Sequence, residues 1–212
     1  MADNSSLAED ISYVHSQLTS YAKLNSPQMG VASSNGGAGV PHEMFDGEVD
    51  DEGWVAWKML PSTLSLDDVT EVEQKFSVQF PPLFRTYLLA GFQLYDQIIS
   101  SKYEQLIFNT DVPSIEPLQP IRTLIESWSS LTLAGYVPFA QWGDGWGPMC
   151  FDIENRHEDG DCSIVWMDHE LLIPLGPIEC GKRISVLPHV NELYCSYREF
   201  FDDTFGVSKR IG

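Results

Sequence analysis

Residues 136–169 read YVPFAQWGDGWGPMCFDIENRHEDGDCSIVWMDH. Apolar and β-branched runs at 137–139, 149–153 and 163–167 predict three short strands. The first two are joined by a compact turn over 141–147, in which Gly143, Gly145 and Gly147 alternate with Asp144 and Trp146, after Trp142. Glycines so closely spaced mark backbone that leaves the ordinary allowed regions while carrying large side chains. The second and third strands are joined by a charged hairpin loop at 155–161. Three successive strands of this kind form the centre of an antiparallel sheet, and the rest of the chain reads as its support.

Upstream, Ser65 with Asp68 three residues on opens a helix whose buried stripe is Val69, Val72 and Phe76. Pro82 starts a second helix through Ala90, burying Phe84, Tyr87 and Leu88, with Gly91 as its stop. Segments 94–100 and 103–108 predict a hairpin, and Leu118, Ile121, Leu124, Ile125 and Trp128 predict a helix ending near Ser129. Downstream, 170–174 is expected to extend the third strand or form another edge piece, and 176–191 a loop or strand return. Ser196 and Glu199 form a capping box for a last helix through Phe205, stopped by Gly206. Helices, then a mainly antiparallel sheet, then a helix give an α+β fold with a curved sheet flanked by helices.

The first 53 residues have a different character. Leu7, Ile11, Val14, Leu18 and Tyr21 make one apolar stripe, so 1–24 is expected to hold an amphipathic helix. Such a helix is marginal alone and requires a docking surface. Residues 25–53 read as a flexible linker, Gly- and Ser-rich at first, then acidic through Glu43, Asp46, Glu48, Asp50, Asp51 and Glu52. The main domain is expected over 54–212.

Asp and Glu number 31 against 12 Lys and Arg, a net charge of −19. Nucleic acid and anionic membrane are poor partners for such a surface, since both bind through basic groups. A basic protein is a good one, although the same acidity also serves solubility. The N-terminal sequence has neither the basic nor the apolar region of a signal peptide, and no apolar run is long enough to cross a membrane. Cys150, Cys162, Cys180 and Cys195 form no CxxC pair, which together with the missing leader leads to the expectation of reduced thiols in a cytoplasmic protein.

The order of motifs resembles the SUKH superfamily, the Smi/Knr class whose bacterial members are immunity proteins. The residues that carry it are Val72-Glu73, Phe80-Pro81-Pro82-Leu83-Phe84-Arg85-Thr86-Tyr87-Leu88, Pro138-Phe139-Ala140 with Trp142-Gly143-Asp144, and Met149-Cys150-Phe151-Asp152. Val165-Trp166 with Asp168-His169-Glu170, and Ser196-Tyr197-Arg198-Glu199-Phe200-Phe201, complete it over about residues 60–207. Ala90-Gly91-Phe92 departs from the Asn-Gly-Gly often found after the second helix. The resemblance implies an α+β fold, protein binding in place of catalysis, and most often neutralisation of a cognate toxin, many of them nucleases. Yeast relatives are cell-wall synthesis regulators, which suggests a regulatory adaptor as the second reading.

Enzymatic readings find little footing. Asp144, Asp152, Asp159, Asp161, Asp168, His157 and His169 crowd the central stretch, yet their spacing matches no zinc motif, and Asp159-Gly160-Asp161 lacks the rest of a calcium loop. Ser163 with His169 has no nucleophile elbow. A metal-dependent hydrolase is thus a distant third reading, and no cofactor is expected. Asp144 fixes its own turn or contacts a partner; Trp142 and Trp146 are core residues or interface anchors, and the glycines on both sides of Trp146 favour exposure there, since they let another chain approach. The expected partner-binding set is Trp142, Asp144, Trp146, Glu158, Asp159, Asp161, Asp168 and Glu170.

Overall fold

A computed structural model describes residues 4–25, 28–30, 39–143 and 146–206. Asp144 therefore lies outside the described residues. The first helix, α1 (Asn4–Asn25), buries Val14 and Leu18 completely and Tyr21 nearly so. It docks on the domain itself. The Tyr13 hydroxyl donates to Asp202 at 2.6 Å, His15 Nδ1 lies 3.0 Å from the Ala90 carbonyl, and the Tyr95 hydroxyl donates to the Leu18 carbonyl. The part of its apolar stripe at Val14, Leu18 and Tyr21 is thus used within the chain, while Glu9, Ser12 and Leu24 remain exposed.

The segment read as a flexible linker is anchored where it is described. β1 (Gln28–Gly30) pairs antiparallel with β2 (Trp54–Ala56), and Val40 and Met44 enter the core. The acidic run between them stays exposed, on a turn held by Asp50 Oδ1, which accepts from the Glu52 and Trp54 amides. The Phe45–Trp57 bridge adds a further backbone tie to these contacts.

α2 (Leu66–Phe76) begins with the expected Ser65/Asp68 capping box, and α3 (Pro82–Leu89) with its proline. Between them, the buried Glu73 accepts the Phe80 amide at 2.7 Å and pairs with Arg85 at 3.2 Å, fixing the approach to the two prolines. β3 (Gln97–Ser100) and β4 (Gln105–Asn109) form the expected hairpin, followed by α4 (Gln119–Ser127) and α5 (Ser129–Leu133). The central strands are β5 (Tyr136–Trp142), β6 (Gly147–Arg156) and β7 (Cys162–Trp166).

The next segment corrects the sequence reading. Residues 170–174 are helical: α6 (His169–Leu172) runs into a single 3-10 turn. Then come α7 (Gly176–Cys180), α8 (Arg183–Val186) and a second 3-10 turn, before β8 (Asn191–Tyr194). Asp168 caps α6 through the Glu170 amide, and Pro174, Pro177 and Pro188 each occupy a first turn, where a missing N–H costs nothing. α9 (Tyr197–Phe205) closes the fold behind its Ser196 cap.

The main sheet runs β3-β4-β5-β6-β7-β8, each neighbour antiparallel. Its two faces explain why the strands read as continuous apolar runs. Val137, Phe139, Met149, Phe151 and Ile164 face the main core with α3 and α9. Phe139 and Phe151 stack at 4.2 Å, and the Phe84 and Tyr197 rings lie against both. Alternate residues, Tyr136, Cys150, Val165 and Met167, face the other way and are covered by Leu131, Leu172, Cys180 and Val186. A sheet buried on both faces loses the polar alternation of a half-exposed one. The sheet curls until its edges meet: the Lys102 ammonium and Tyr103 hydroxyl donate to the Leu193 carbonyl, and Tyr194 to Ser100.

No two of the four cysteines are bonded, and burial pushes the Cys162 thiol up to about 12. No described helix is long and apolar enough to cross a membrane.

At the base of the β3–β4 hairpin, Asp96 and Asp111 lie close together. Burial, with the Asp96 carboxylate as the second cause, pushes the Asp111 carboxyl from 3.8 up to about 7. A carboxyl whose pKa is raised on folding stabilises the fold in its neutral form. That contribution is complete below about pH 4 and is lost as pH rises through about 7. Asp111→Asn is expected to stabilise the protein by about 2 kcal/mol at pH 8 and to leave it unchanged near pH 4. Urea midpoints of both proteins across that range check the sign.

Candidate functional site

The turn between β5 and β6 presents its two tryptophans differently. Trp142, the last residue of β5, is 7 % exposed; its indole lies 6.2 Å from Trp166 and against the edge of Tyr103. It is a packing residue and leaves the expected binding set. Trp146 is 55 % exposed. Its amide donates to the carbonyls of Trp142 and Gly143, and its own carbonyl accepts the His169 amide at 2.9 Å, with His169 Nδ1 3.0 Å away. The backbone of Trp146 is thus fixed on both sides, and the residue is exposed at the sheet end. Asp168 and Glu170 stand beside it at the start of α6, Asp168 half-engaged as the cap and Glu170 exposed.

The acidic hairpin is elsewhere. β6 runs from Gly147 to Arg156, so the hairpin tip lies about 30 Å from Trp146 along the strand. There Arg156 donates to the Gln79 carbonyl at 2.6 Å and to Gly160, tying the tip to the α2–α3 connection. Glu158 and Asp159 are exposed, Asp159 also accepting the Asp161 amide.

Asp161 corrects the sequence reading: it is buried. Its carboxylate accepts from the amides of Cys162, Tyr197 and Arg198 at 2.8, 3.0 and 3.3 Å. That is an anion at the N-terminus of α9, where unpaired amides and the helix dipole favour one. The eight-residue set therefore divides. Trp146, Asp168 and Glu170 share one end of the sheet, Glu158 and Asp159 occupy the other, Trp142 and Asp161 are internal, and Asp144 is not described.

The acids of the recurring motifs have structural partners too. Asp152 receives Arg183 at 2.7 Å, and Arg183 lies over the Tyr136 ring, fastening α8 to the sheet. Glu73 holds the Phe80 amide as described. Among the described residues, no three His, Cys, Asp or Glu side chains come together in a way that would hold a metal ion.

The model of the SMI1 / KNR4 family (SUKH-1) matches residues 63–183. The chain belongs to the SUKH-1 family. The match covers α2 through the start of α8 and leaves out α1, β1, β2, β8 and α9. No curated protein matches the chain. Family membership makes protein binding the activity to look for on this surface, and it draws attention to a feature that reading the strands missed. Large apolar side chains stand exposed along α5–α8, among them Leu133, Ile173, Ile178 and Ile184. Ile173 falls in the segment expected to be strand, Ile178 and Ile184 in the one expected to be loop or strand return, and Leu133 beyond the helix expected to end near Ser129, so no common helical layer is legible in the sequence.

Proposed function

We propose that this SUKH-1 chain is a non-catalytic protein-binding module that neutralises a basic toxin of the nuclease type by covering its working surface. The observation that carries the reading is Trp146, an exposed tryptophan on a hydrogen-bonded backbone at the sheet end beside Asp168 and Glu170, on a chain of net charge −19. Buried tryptophan anchors dominate interface energies, and opposite charge accelerates encounter. A nuclease is basic where it holds its substrate, so an acidic cover competes with nucleic acid for that face. The encounter belongs in the cytoplasm, where a nuclease would find its substrate.

The test titrates the chain against purified basic nuclease toxin domains. The expected result is loss of nuclease activity at one equivalent of the chain. The association rate should fall severalfold between about 50 and 500 mM salt, as screening predicts. Trp146→Ala should weaken the complex about tenfold or more, mainly through faster dissociation. Nuclease activity that persists with the chain in excess counts against neutralisation; a salt-independent rate counts against charge steering.

A further inference from the structure

We propose that the ridge of Leu133, Ile173, Ile178 and Ile184 is the apolar anchor of an interface with a basic protein. The partner would present an apolar surface ringed by Lys and Arg. This rests on the protein-binding reading above and names a surface for it.

These four side chains are 81, 70, 78 and 77 % exposed, more than any other large apolar residues described. They lie on one layer. α5 packs on α7, and a Leu133 methyl comes within 3.7 Å of where a side chain at Gly181 would begin. α7 adjoins α8 on one side and the turn carrying Ile173 on the other. The layer's inward residues, Leu172, Cys180 and Val186, already cover the outer face of the sheet, so the sheet does not need the outward ones. With the partly exposed Leu171 and Leu187, the ridge amounts to roughly 600 Å² of apolar side chain, at the upper end of what monomers expose. A standard interface takes about 800 Å² from each partner, so the ridge supplies most of one such face.

Charge selects the occupant. The two cations of this segment are already matched: Lys182 pairs with Glu179 at 2.6 Å and Arg183 with Asp152 at 2.7 Å. Glu170 and Glu192 stand exposed at either end of the segment and enter no ion pair among the described residues. The surround is therefore net acidic. A second copy brings another −19, so self-association sets like charge against like. A basic partner removes that repulsion and gains from it.

The experiment uses the full chain and two short amphipathic helical peptides, one of Leu and Lys, the other of Leu and Glu. Binding is followed by titration, and the footprint by amide chemical shifts. The Leu/Lys peptide is expected to bind with shifts centred on 173–187, and the Leu/Glu peptide to bind at least about tenfold more weakly. Ile178→Ser with Ile184→Ser should weaken the Leu/Lys peptide about tenfold or more. Asp67→Asn with Glu71→Gln, on the exposed face of α2, should leave it within about twofold. Both variants change exposed side chains, and unchanged melting temperatures confirm their folding. The proposal is overturned if neither peptide binds, if both bind alike, if the footprint lies elsewhere, or if sedimentation shows a dimer that the ridge substitutions dissociate. Neutralisation of the nuclease by the unaltered chain is a separate measurement; if it succeeds and the ridge variant neutralises equally well, only the ridge is lost.

Discussion

Asp203→Ala is expected to destabilise the protein by about 3–5 kcal/mol. The Asp203 carboxylate, on α9, is buried where the two edges of the curled sheet meet. One oxygen accepts from the Ser100 hydroxyl at 2.7 Å and the Tyr194 hydroxyl at 2.9 Å; the other accepts the Lys102 amide at 2.8 Å. Ser100 and Tyr194 belong to the edge strands β3 and β8, and Lys102 to the turn after β3, so one side chain of α9 ties β8 to a strand 103 positions upstream. Alanine removes the acceptor and leaves buried donors without their partner, each at a cost of about 1–3 kcal/mol. Urea denaturation measures the loss. Asp203→Asn keeps the shape and one acceptor oxygen and should recover part of it. An alanine variant within about 0.5 kcal/mol of the parent would show that the edges are held together without this carboxylate.

Gly147→Ala should cost a similar amount, about 3–5 kcal/mol, and should also disturb the Trp146 surface. Gly147 has φ +150°, and a Cβ there would lie 1.8 Å from the Met167 carbonyl oxygen and 2.9 Å from the His169 amide nitrogen. Both obstacles are backbone, so neither rotates away. Relief requires β6 to move from the start of α6, which breaks the backbone hydrogen bond from the His169 amide to the Trp146 carbonyl and shifts the residue that carries the indole. Gly53→Ala is the control. Its φ of +84° is also positive, outside the ordinary region, but nothing lies within 4 Å of the added carbon. It should cost only about 1 kcal/mol. Equal urea midpoints for the two variants would assign the loss at Gly147 to backbone conformation alone, without the clash.

The local features were legible because their causes are local. The three central strands, the Ser65 and Ser196 caps, the proline starts of α3 and the 3–4 stripe of α1 all depend on residues within a few positions of one another. Residues 170–174 were misread because a short apolar run fits a strand and a helix equally well, and only the need to cover the outer face of the sheet decides. Trp142 and Trp146, four residues apart in one turn, have the same residue type and similar neighbours. One lies on Trp166 and Tyr103; the other points out past the sheet end. The glycines on both sides of Trp146 point to its exposure; for Trp142 the turn is silent, and only distant Trp166 and Tyr103 decide.

From its sequence alone this chain is an acidic α+β protein with the SUKH order of motifs, since periodicity, capping and net charge are properties of a string. The tertiary structure decided which of its acids remain available. Asp161 meets amides of α9 36 and 37 positions away, Asp152 meets Arg183 31 positions away, and Asp203 meets Ser100 across 103. A carboxylate's partner is set by where distant backbone brings its donors, which spacing along the chain does not record. The same holds for the exposed ridge. Leu133 and Ile178 belong to one surface because two short helices pack side by side on the outer face of the sheet.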